Sequence, residues 1–295
     1  MKRFWTQSGL SYYNGENGFE LSPFYRPILQ DIERLGLSLC EKTFSEIDLY
    51  LSSLKYILQQ GQTVGVYTNT YSLPFCPFYQ NLHELHALEI LAESNDQWTV
   101  ADHYYKYFGT LSTDELKQTF ISAIENNLFS EFYLVYLKSE CDVYKYPSLN
   151  KIIEENFHSI SGNQMIDFQV SNQCFSGLKA LTLFQEKLNG LLTSPISTSN
   201  KHHLKECYKQ LKEMANSRHN FYFYLKNVQE NSGLSDLIFD SAQNWSVVTN
   251  MVLRVIATNK YENMNERINK RFKRVCDIED KTREKMNELI TESVS

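Results

Sequence analysis

Two residues, His86 and Asp102, carry the chemistry that this sequence suggests most directly. His86 stands at the start of a β-like run of residues, and Asp102 stands at the end of the next one. A carboxylate bonded to one nitrogen of an imidazole fixes the tautomer and leaves the other nitrogen able to accept a proton. The two residue types are therefore those of a general base and its orienting carboxylate. The alternative interpretation is a surface histidine and a turn aspartate.

The residues between His86 and Asp102 predict a β-hairpin. The first strand is expected over 86–91 and the return strand over 97–102, with the polar turn Ser94-Asn95-Asp96 between them. A hairpin of this length brings the start of its first strand beside the end of its second. We therefore expect the imidazole and the carboxylate to meet.

Other segments of the chain predict the elements that surround this hairpin. They are a helix over 46–60, a strand over 63–68, a helix from the capping box Ser112-Thr113-Asp114-Glu115 to about Asn126, and a strand over 132–137. After residue 172 the sequence is almost wholly helical, with long stretches free of glycine and proline over 205–228, 234–258 and 261–289. The predicted fold is α+β, with an α+β domain over 1–145 and a helical domain over 146–295.

Composition excludes several classes of function. The chain has 295 residues and a formal net charge of −6, which argues against nucleic acid as the main partner because phosphate binding needs clustered Lys and Arg. No run approaches the roughly 18 apolar residues that span a bilayer, so no membrane association is expected. The six cysteines form no C-x-x-C pair and are expected to be free thiols in a reducing cytoplasm.

Several motifs, in a fixed order, resemble the butirosin-biosynthesis-protein-H-like family, whose relatives are papain-fold and bacteriocin-leader-cleaving cysteine peptidases. In the first half of the chain they are GQTVGVYTNTYSLPF (61–75), HELHALEI (83–90), VADHYY (100–105) and LSTDEL (111–116). In the second half they are GLKAL (177–181), SRHNFYFYL (217–225) and WSVVTN (245–250). The resemblance covers roughly residues 50–290.

The resemblance implies a shortened papain-like domain with an antiparallel sheet, followed by a helical domain. It also implies acyl transfer from a carrier-protein thioester to a small-molecule amine, in bacterial nonribosomal-peptide or related natural-product biosynthesis. By position, His86 would be the base and Asp102 its orienting group. The expected partners are an acyl or peptidyl carrier protein and an amine. No cofactor is expected, because the substrate would arrive on the carrier's phosphopantetheine, and a homodimer is one possible assembly.

The chain departs from the family at the nucleophile. In the family a cysteine at the start of an N-terminal helix precedes the glycine- and aromatic-rich strand region, which the text from Ser8 to Gly15 already resembles. We therefore expect the first helix of the family to be missing. Cys76 and Cys40 are the substitute candidates, and their alternative is buried or incidental thiols. A mechanism without a covalent intermediate is the third option, with His86 deprotonating an amine that attacks a bound thioester.

Further residues are candidates for contact with the substrate or with a partner protein. Tyr71, Tyr105 and Arg218 are predicted to bind substrate. The alternative for Arg218 and the aromatic residues 221–224 is a surface arginine beside an aromatic core. The basic run Lys270-Arg271-Phe272-Lys273-Arg274 is a candidate for docking an acidic carrier protein, or one face of a mixed-charge helix. No metal is expected, because the text at residue 83 is H-E-L-H and not H-E-x-x-H.

Two other functions remain open at this point. One is a catalytically inactive relative that binds or scaffolds components of the same pathway. The other is a small amidase or peptidase.

Overall fold

The computed structural model describes residues 6–15, 18–34, 36–139, 147–163, 174–194, 197–228, 232–258 and 264–293. The chain divides into two units. The described residues within Met1–Asp31 and Tyr146–Ser295 form the first, which we call the helical unit. Those within Ile32–Lys145 form the second, which we call the sheet unit.

The elements are given in chain order. They are β1 (Ser11–Gly15), β2 (Gly18–Ser22), α1 (Ile28–Arg34), β3 (Leu37–Phe44), α2 (Ile47–Gln59), β4 (Val64–Asn69), a 3-10 turn (Thr70–Ser72), β5 (Leu85–Ser94), β6 (Gln97–Asp102), β7 (Tyr107–Ser112), α3 (Thr113–Glu125), β8 (Phe132–Ser139), α4 (Leu149–Ser161), β9 (Cys174–Ser176), α5 (Leu178–Thr193), α6 (Thr198–Asn227), α7 (Leu234–Thr258) and α8 (Met264–Glu292). The fold is mixed α+β, with antiparallel sheets and a helical C-terminal region.

The sheet unit is built on six antiparallel strands in the order β3-β8-β4-β5-β6-β7. Alternate residues of the central strands are buried in one core with residues of α2 and α3, because side chains on a strand point to opposite faces in turn. Trp98, Tyr50 and Phe120 are the largest side chains buried there. The predicted capping box is confirmed: Ser112 accepts the Glu115 backbone N–H, and Glu115 accepts the Ser112 N–H at 2.8 Å.

The predicted hairpin is present as β5 and β6. It is longer than expected at its first strand, which runs from Leu85 to Ser94 and contains a β-bulge between Ile90 and Ala92. Asn95 and Asp96 both adopt positive φ angles (52° and 60°), as the tight turn of a two-residue hairpin loop requires.

The helical unit joins α4 through α8 to a three-stranded sheet in the order β2-β1-β9. The helices predicted after residue 172 are present, whereas this sheet and α4 were not predicted. Residues 11–13 pair with residues 174–176, and so the start of the chain belongs with the helical unit. The predicted division into 1–145 and 146–295 therefore differs from that of the structure in its first 31 residues.

None of the helices that the structure describes has both the length and the apolar composition needed to cross a bilayer.

Candidate active site

The site is centred on the imidazole of His86 and the carboxylate of Asp102. His86 Nε2 lies 2.7 Å from Asp102 Oδ2. The Asp102 side chain is fully buried, and that of His86 is 10% exposed. The two residues that the sequence paired thus form a hydrogen-bonded dyad whose imidazole reaches the surface.

The strand register explains why these two side chains meet. Glu89 pairs with Ala101, and so Asp102 follows opposite Leu88, with His86 as its diagonal neighbour on the same face of the hairpin. Diagonal neighbours across an antiparallel pair lie within reach of long side chains. The contact therefore follows from the hairpin itself.

A tight turn after β6 fixes the Asp102 carboxylate. Its Oδ1 accepts the backbone N–H groups of Tyr104 and Tyr105, each at 2.8 Å. Burial raises the pKa of Asp102, but the hydrogen bonds from His86 and from the two backbone N–H groups outweigh it and hold the pKa below its usual value. Asp102 is therefore ionised at neutral pH and acts as an acceptor for His86.

The same turn places two aromatic rings beside the imidazole. The ring centroids of Tyr104 and Tyr105 lie 5.8 Å and 4.9 Å from that of His86. Tyr105, which the sequence predicted as a substrate contact, also bonds through its side chain to Cys76. Tyr105 thus touches the imidazole, the carboxylate and the nearest cysteine of the site.

The second nitrogen of the imidazole, His86 Nδ1, has no hydrogen-bond partner among the residues that the structure describes. Since Nε2 carries the proton donated to Asp102, Nδ1 is the basic nitrogen. This arrangement can take a proton from a molecule that reaches Nδ1.

Cys76 is a poor nucleophile in this position. Its side chain is 4% exposed, and its Sγ accepts the Phe78 backbone N–H at 3.4 Å. Burial raises the pKa of the Cys76 thiol, and the charges of Asp102 and Glu84 raise it further. None of its described contacts is with a ring nitrogen of His86.

Cys40 lies on β3, at the far edge of the sheet from the hairpin. Three strand-to-strand steps separate β3 from β5, a distance of about 14 Å in the hydrogen-bonding direction. That separation is too large for proton transfer between the Cys40 thiol and His86. Cys40 therefore does not serve this dyad as a nucleophile.

Tyr71, the second predicted substrate contact, belongs to a neighbouring cluster with His83. The two rings are stacked, with centroids 4.1 Å apart and planes inclined by 10°. Asn69, which the sequence analysis missed, is fully buried beneath them, with Nδ2 2.9 Å from His83 Nδ1. A polar residue at the end of an otherwise apolar strand is the signal that would have found it.

Arg218, the third predicted substrate contact, is in the helical unit and has no exposed surface. Its Nε and Nη2 donate to the two carboxylate oxygens of Glu279 at 3.0 and 3.1 Å, and its Nη1 donates to the Gly9 carbonyl at 3.0 Å. Both charged side chains are at most 1% exposed. The structure thus corrects the prediction: Arg218 is part of a helical core and not of a substrate pocket.

The three nearby histidines do not converge on a common ion. His83 is held by Asn69 and His86 by Asp102, while His103 Nε2 pairs with Glu89 Oε2 at 2.7 Å. No group of three metal-ligating side chains occurs among the described residues.

The basic run 270–274 lies on α8 of the helical unit. Phe272 is buried, and the four Lys and Arg side chains around it are exposed. This surface is available to an acidic partner.

Comparison with known proteins found no family model that matches the chain and no curated protein with significant sequence similarity. The geometry of the site therefore carries the functional argument.

Proposed function

We propose that this protein transfers an acyl group from a thioester to an amine, with His86 as the general base. The observation that carries the proposal is the dyad itself. A buried, ionised Asp102 lies 2.7 Å from Nε2 of an imidazole that is 10% exposed and whose other nitrogen has no hydrogen-bond partner among the described residues. In support, the motifs between residues 61 and 116 resemble acyltransferases of papain-like ancestry.

In the proposed reaction the amine nitrogen attacks the thioester carbonyl carbon, and His86 Nδ1 accepts the proton that the amine loses. The C–N bond forms and the carbonyl π electrons move to oxygen. When the tetrahedral species collapses, the C–S bond breaks, and the leaving thiolate takes the proton back from His86. Asp102 stabilises the imidazolium throughout and keeps its ring oriented.

The amine attacks the bound thioester directly in this proposal. A covalent route would need a thiolate within reach of Nδ1. Cys76 is buried with a raised pKa, and Cys40 is about 14 Å away across the sheet. Neither thiol meets that requirement.

The acyl donor in this proposal is carried on the phosphopantetheine of a bacterial carrier protein, and the product belongs to nonribosomal-peptide or related natural-product biosynthesis in the cytoplasm. Carrier proteins are acidic, and the exposed basic side chains of 270–274 supply a complementary charge. No cofactor of the protein itself enters the reaction.

The test is turnover of small acyl thioesters. The full chain is incubated with aminoacyl and acetyl thioesters of N-acetylcysteamine and a panel of primary amines, and amide formation is followed by mass spectrometry. His86→Ala should lower kcat/KM by about 100- to 10,000-fold, the range for loss of a general base. Intact mass of the protein during turnover should show no acyl adduct.

A matched control is available within the same hairpin. His103 also pairs with a carboxylate at 2.7 Å, but 69% of its side chain is exposed. His103→Ala should leave the rate unchanged. Equal loss in both variants, or full activity of His86→Ala, would contradict the proposal. A wild-type protein that binds acyl carrier without turnover would instead be the inactive binding relative, and thioester hydrolysis without amide would indicate a hydrolase.

A further inference from the structure

Tyr105 and Cys76 are two residues of the site to which the proposed reaction gives no role. The Tyr105 backbone N–H donates to Asp102 Oδ1 at 2.8 Å, its ring lies beside the His86 imidazole, and its hydroxyl bonds to the Cys76 thiol. One side chain therefore connects the imidazole of the dyad to a cysteine that is itself too buried to react.

The hydrogen bond to Asp102 does not by itself fix the orientation of the His86 ring. The χ2 torsion of a histidine is broad and roughly two-fold, so rotamer preference allows the ring both to tilt and to turn over. The bond from Nε2 selects one of the two turned positions, because the other would present a C–H group to the carboxylate. A single hydrogen bond stays favourable over a range of angles, and so the tilt of the ring needs a further restraint.

The Tyr105 ring supplies that restraint. Its centroid lies 4.9 Å from that of His86, with the two planes inclined by 33°, which is a contact distance for aromatic rings. The Tyr104 ring lies against both of them, with its centroid 5.8 Å from that of His86 and 4.9 Å from that of Tyr105. The imidazole cannot tilt toward Tyr105 unless the phenol ring moves as well.

The phenol ring is held at both of its ends. At the backbone end, the Tyr105 N–H is bonded to Asp102, and at the other end the hydroxyl is bonded to Cys76. Cys76 is fixed in turn by its backbone, because its N–H donates to the Leu73 carbonyl at 3.0 Å and its carbonyl accepts the Tyr79 N–H at 2.9 Å. The sulfur is thus a stationary anchor for the hydroxyl.

The chemistry of the Cys76 thiol fits an anchor. Burial raises its pKa, and the charges of Asp102 and Glu84 act in the same direction, so the thiol stays protonated at neutral pH. A protonated thiol is a weak nucleophile but still forms hydrogen bonds, both as donor and as acceptor.

We infer that Tyr105 is a positioning residue, which holds the His86 ring in its bond to Asp102 and is itself held by Cys76. This inference rests on the proposed function, in which His86 is the base. Tyr105 takes no part in proton transfer, since the proton of the amine passes to His86 Nδ1 and then to the leaving thiolate. Its effect is that Nδ1 points in one direction before the substrate arrives.

The first test observes the His86 ring without substrate. Long-range ¹H–¹⁵N spectra of the full chain labelled with ¹⁵N-histidine, at a pH where the ring is neutral, should show His86 as a single Nε2–H form. The signals are assigned by their disappearance in His86→Ala. In Tyr105→Leu, which removes the ring, they should broaden or include the Nδ1–H form. An unchanged His86 spectrum in Tyr105→Leu would overturn the inference and leave the proposed function standing.

Tyr107 provides the matched control. It is directly opposite Asp102 on β7, and its ring stacks on Phe75 with centroids 3.8 Å apart. It makes no ring contact with His86 among the contacts that the structure describes. Tyr107→Phe should therefore leave both the His86 spectrum and the rate of amide formation unchanged.

The second test is kinetic, with acetyl-N-acetylcysteamine and a primary amine. In Tyr105→Leu, kcat should fall by up to about 100-fold, as for a misplaced catalytic group, while KM should change by less than about threefold. Tyr105→Phe keeps the ring and loses only the hydroxyl, so its kcat should fall by about 2- to 10-fold, as for one neutral hydrogen bond.

The role of Cys76 is tested by combining variants. Cys76→Ala should lower kcat by the same factor as Tyr105→Phe, and the double variant should be no slower than either, because both changes break one bond. Cys76→Ser keeps a hydrogen-bonding group and should recover part of the rate. Losses that multiply in the double variant would overturn the inference, since the two residues would then act independently.

The remaining outcomes separate the inference from the proposed function. A raised KM with unchanged kcat in Tyr105→Phe and Tyr105→Leu would mark Tyr105 as a substrate contact, and would overturn the inference alone. An acyl adduct on Cys76 during turnover, together with an inactive Cys76→Ser, would overturn both, because the thiol would then be the nucleophile. A wild-type protein that forms amide with no thioester and amine of the panel would also overturn both.

Discussion

Each unit of this protein contains a cationic or basic side chain bonded to a buried carboxylate, but the two pairs differ in what is left open. In the helical unit, Glu279 is saturated: its two oxygens accept from Arg218, Ser241 and Trp245. In the sheet unit, Asp102 is equally buried, but its partner His86 is 10% exposed and its Nδ1 has no hydrogen-bond partner in the described part of the chain.

The comparison shows that a buried ion pair is not by itself evidence for function. Arg218 lies among aromatic residues in the sequence, and the prediction is that it binds substrate. In the structure, however, its guanidinium N–H groups donate to Glu279 and to the Gly9 carbonyl, both in the helical unit. The His86–Asp102 pair is the candidate catalytic pair because the second nitrogen of His86 has no hydrogen-bond partner among the residues that the structure describes. What distinguishes the two pairs is this ring nitrogen of His86, because both pairs contain a buried carboxylate.

The largest effect is expected at the saturated pair. Glu279→Ala leaves the buried Arg218 charge unpaired and removes the acceptor of Ser241 and Trp245. We expect the helical unit to lose about 3–5 kcal/mol of stability, measured by urea unfolding and by hydrogen exchange of peptides from α6, α7 and α8. The double variant Arg218→Met with Glu279→Leu should lose less, because no charge stays unpaired. A loss of stability below about 1 kcal/mol in Glu279→Ala would contradict the assignment of Glu279 as the partner that the buried Arg218 charge requires.

The intermediate effect is expected at the open pair. Asp102→Asn keeps an oxygen for the two backbone N–H groups but removes the charge, and should cost about 1.5–3 kcal/mol at pH 7. Because the pKa of Asp102 is lower in the folded protein than in the unfolded chain, its stabilisation is complete above the unfolded value of about 4. It is lost as the pH falls through the folded value. The difference between wild type and variant in urea midpoint should therefore shrink below about pH 4; a difference that grows on acidification would contradict the assignment.

The smallest effect is expected at the exposed pair. His103→Ala removes a partner of Glu89 that is 69% exposed, and Thr63 still donates to Glu89 at 2.7 Å. We expect a change within about 0.5 kcal/mol in thermal or urea unfolding, as is usual for surface ion pairs. A larger loss would mean that the hairpin depends on this contact more than on the dyad.

The dyad was predictable from the sequence because it is local. One hairpin contains His86, Asp102 and the turn at Asn95 and Asp96. Within a hairpin, the alternation of side chains along each strand and the type of turn determine which side chains are neighbours across the strands. The bulge between Ile90 and Ala92 was not predictable, since no residue type there demands it.

The long-range contacts were not predictable. Arg218 and Glu279 are 61 residues apart on different helices, and no periodicity in either helix specifies the other as its partner. The same holds for residues 11–13, which pair with the three-residue strand Cys174–Ser176. Asn69 and His83 are closer in sequence, but the buried amide is explained only by its bonds to Tyr71 and Ser122.

The pairing of β1 with β9 also has a consequence for biosynthesis. The first segment of the helical unit leaves the ribosome early, but its partners begin at residue 149 and end near residue 292. At a translation rate of roughly 5–20 residues per second, synthesis of the segment from residue 149 to residue 292 takes from several to about thirty seconds. During that interval all residues of the sheet unit have been synthesised. The apolar side chains of Leu10, Tyr12 and Leu21, in contrast, still lack the helices against which they pack in the folded protein. The early segment therefore exposes apolar side chains that only later-synthesised residues can bury.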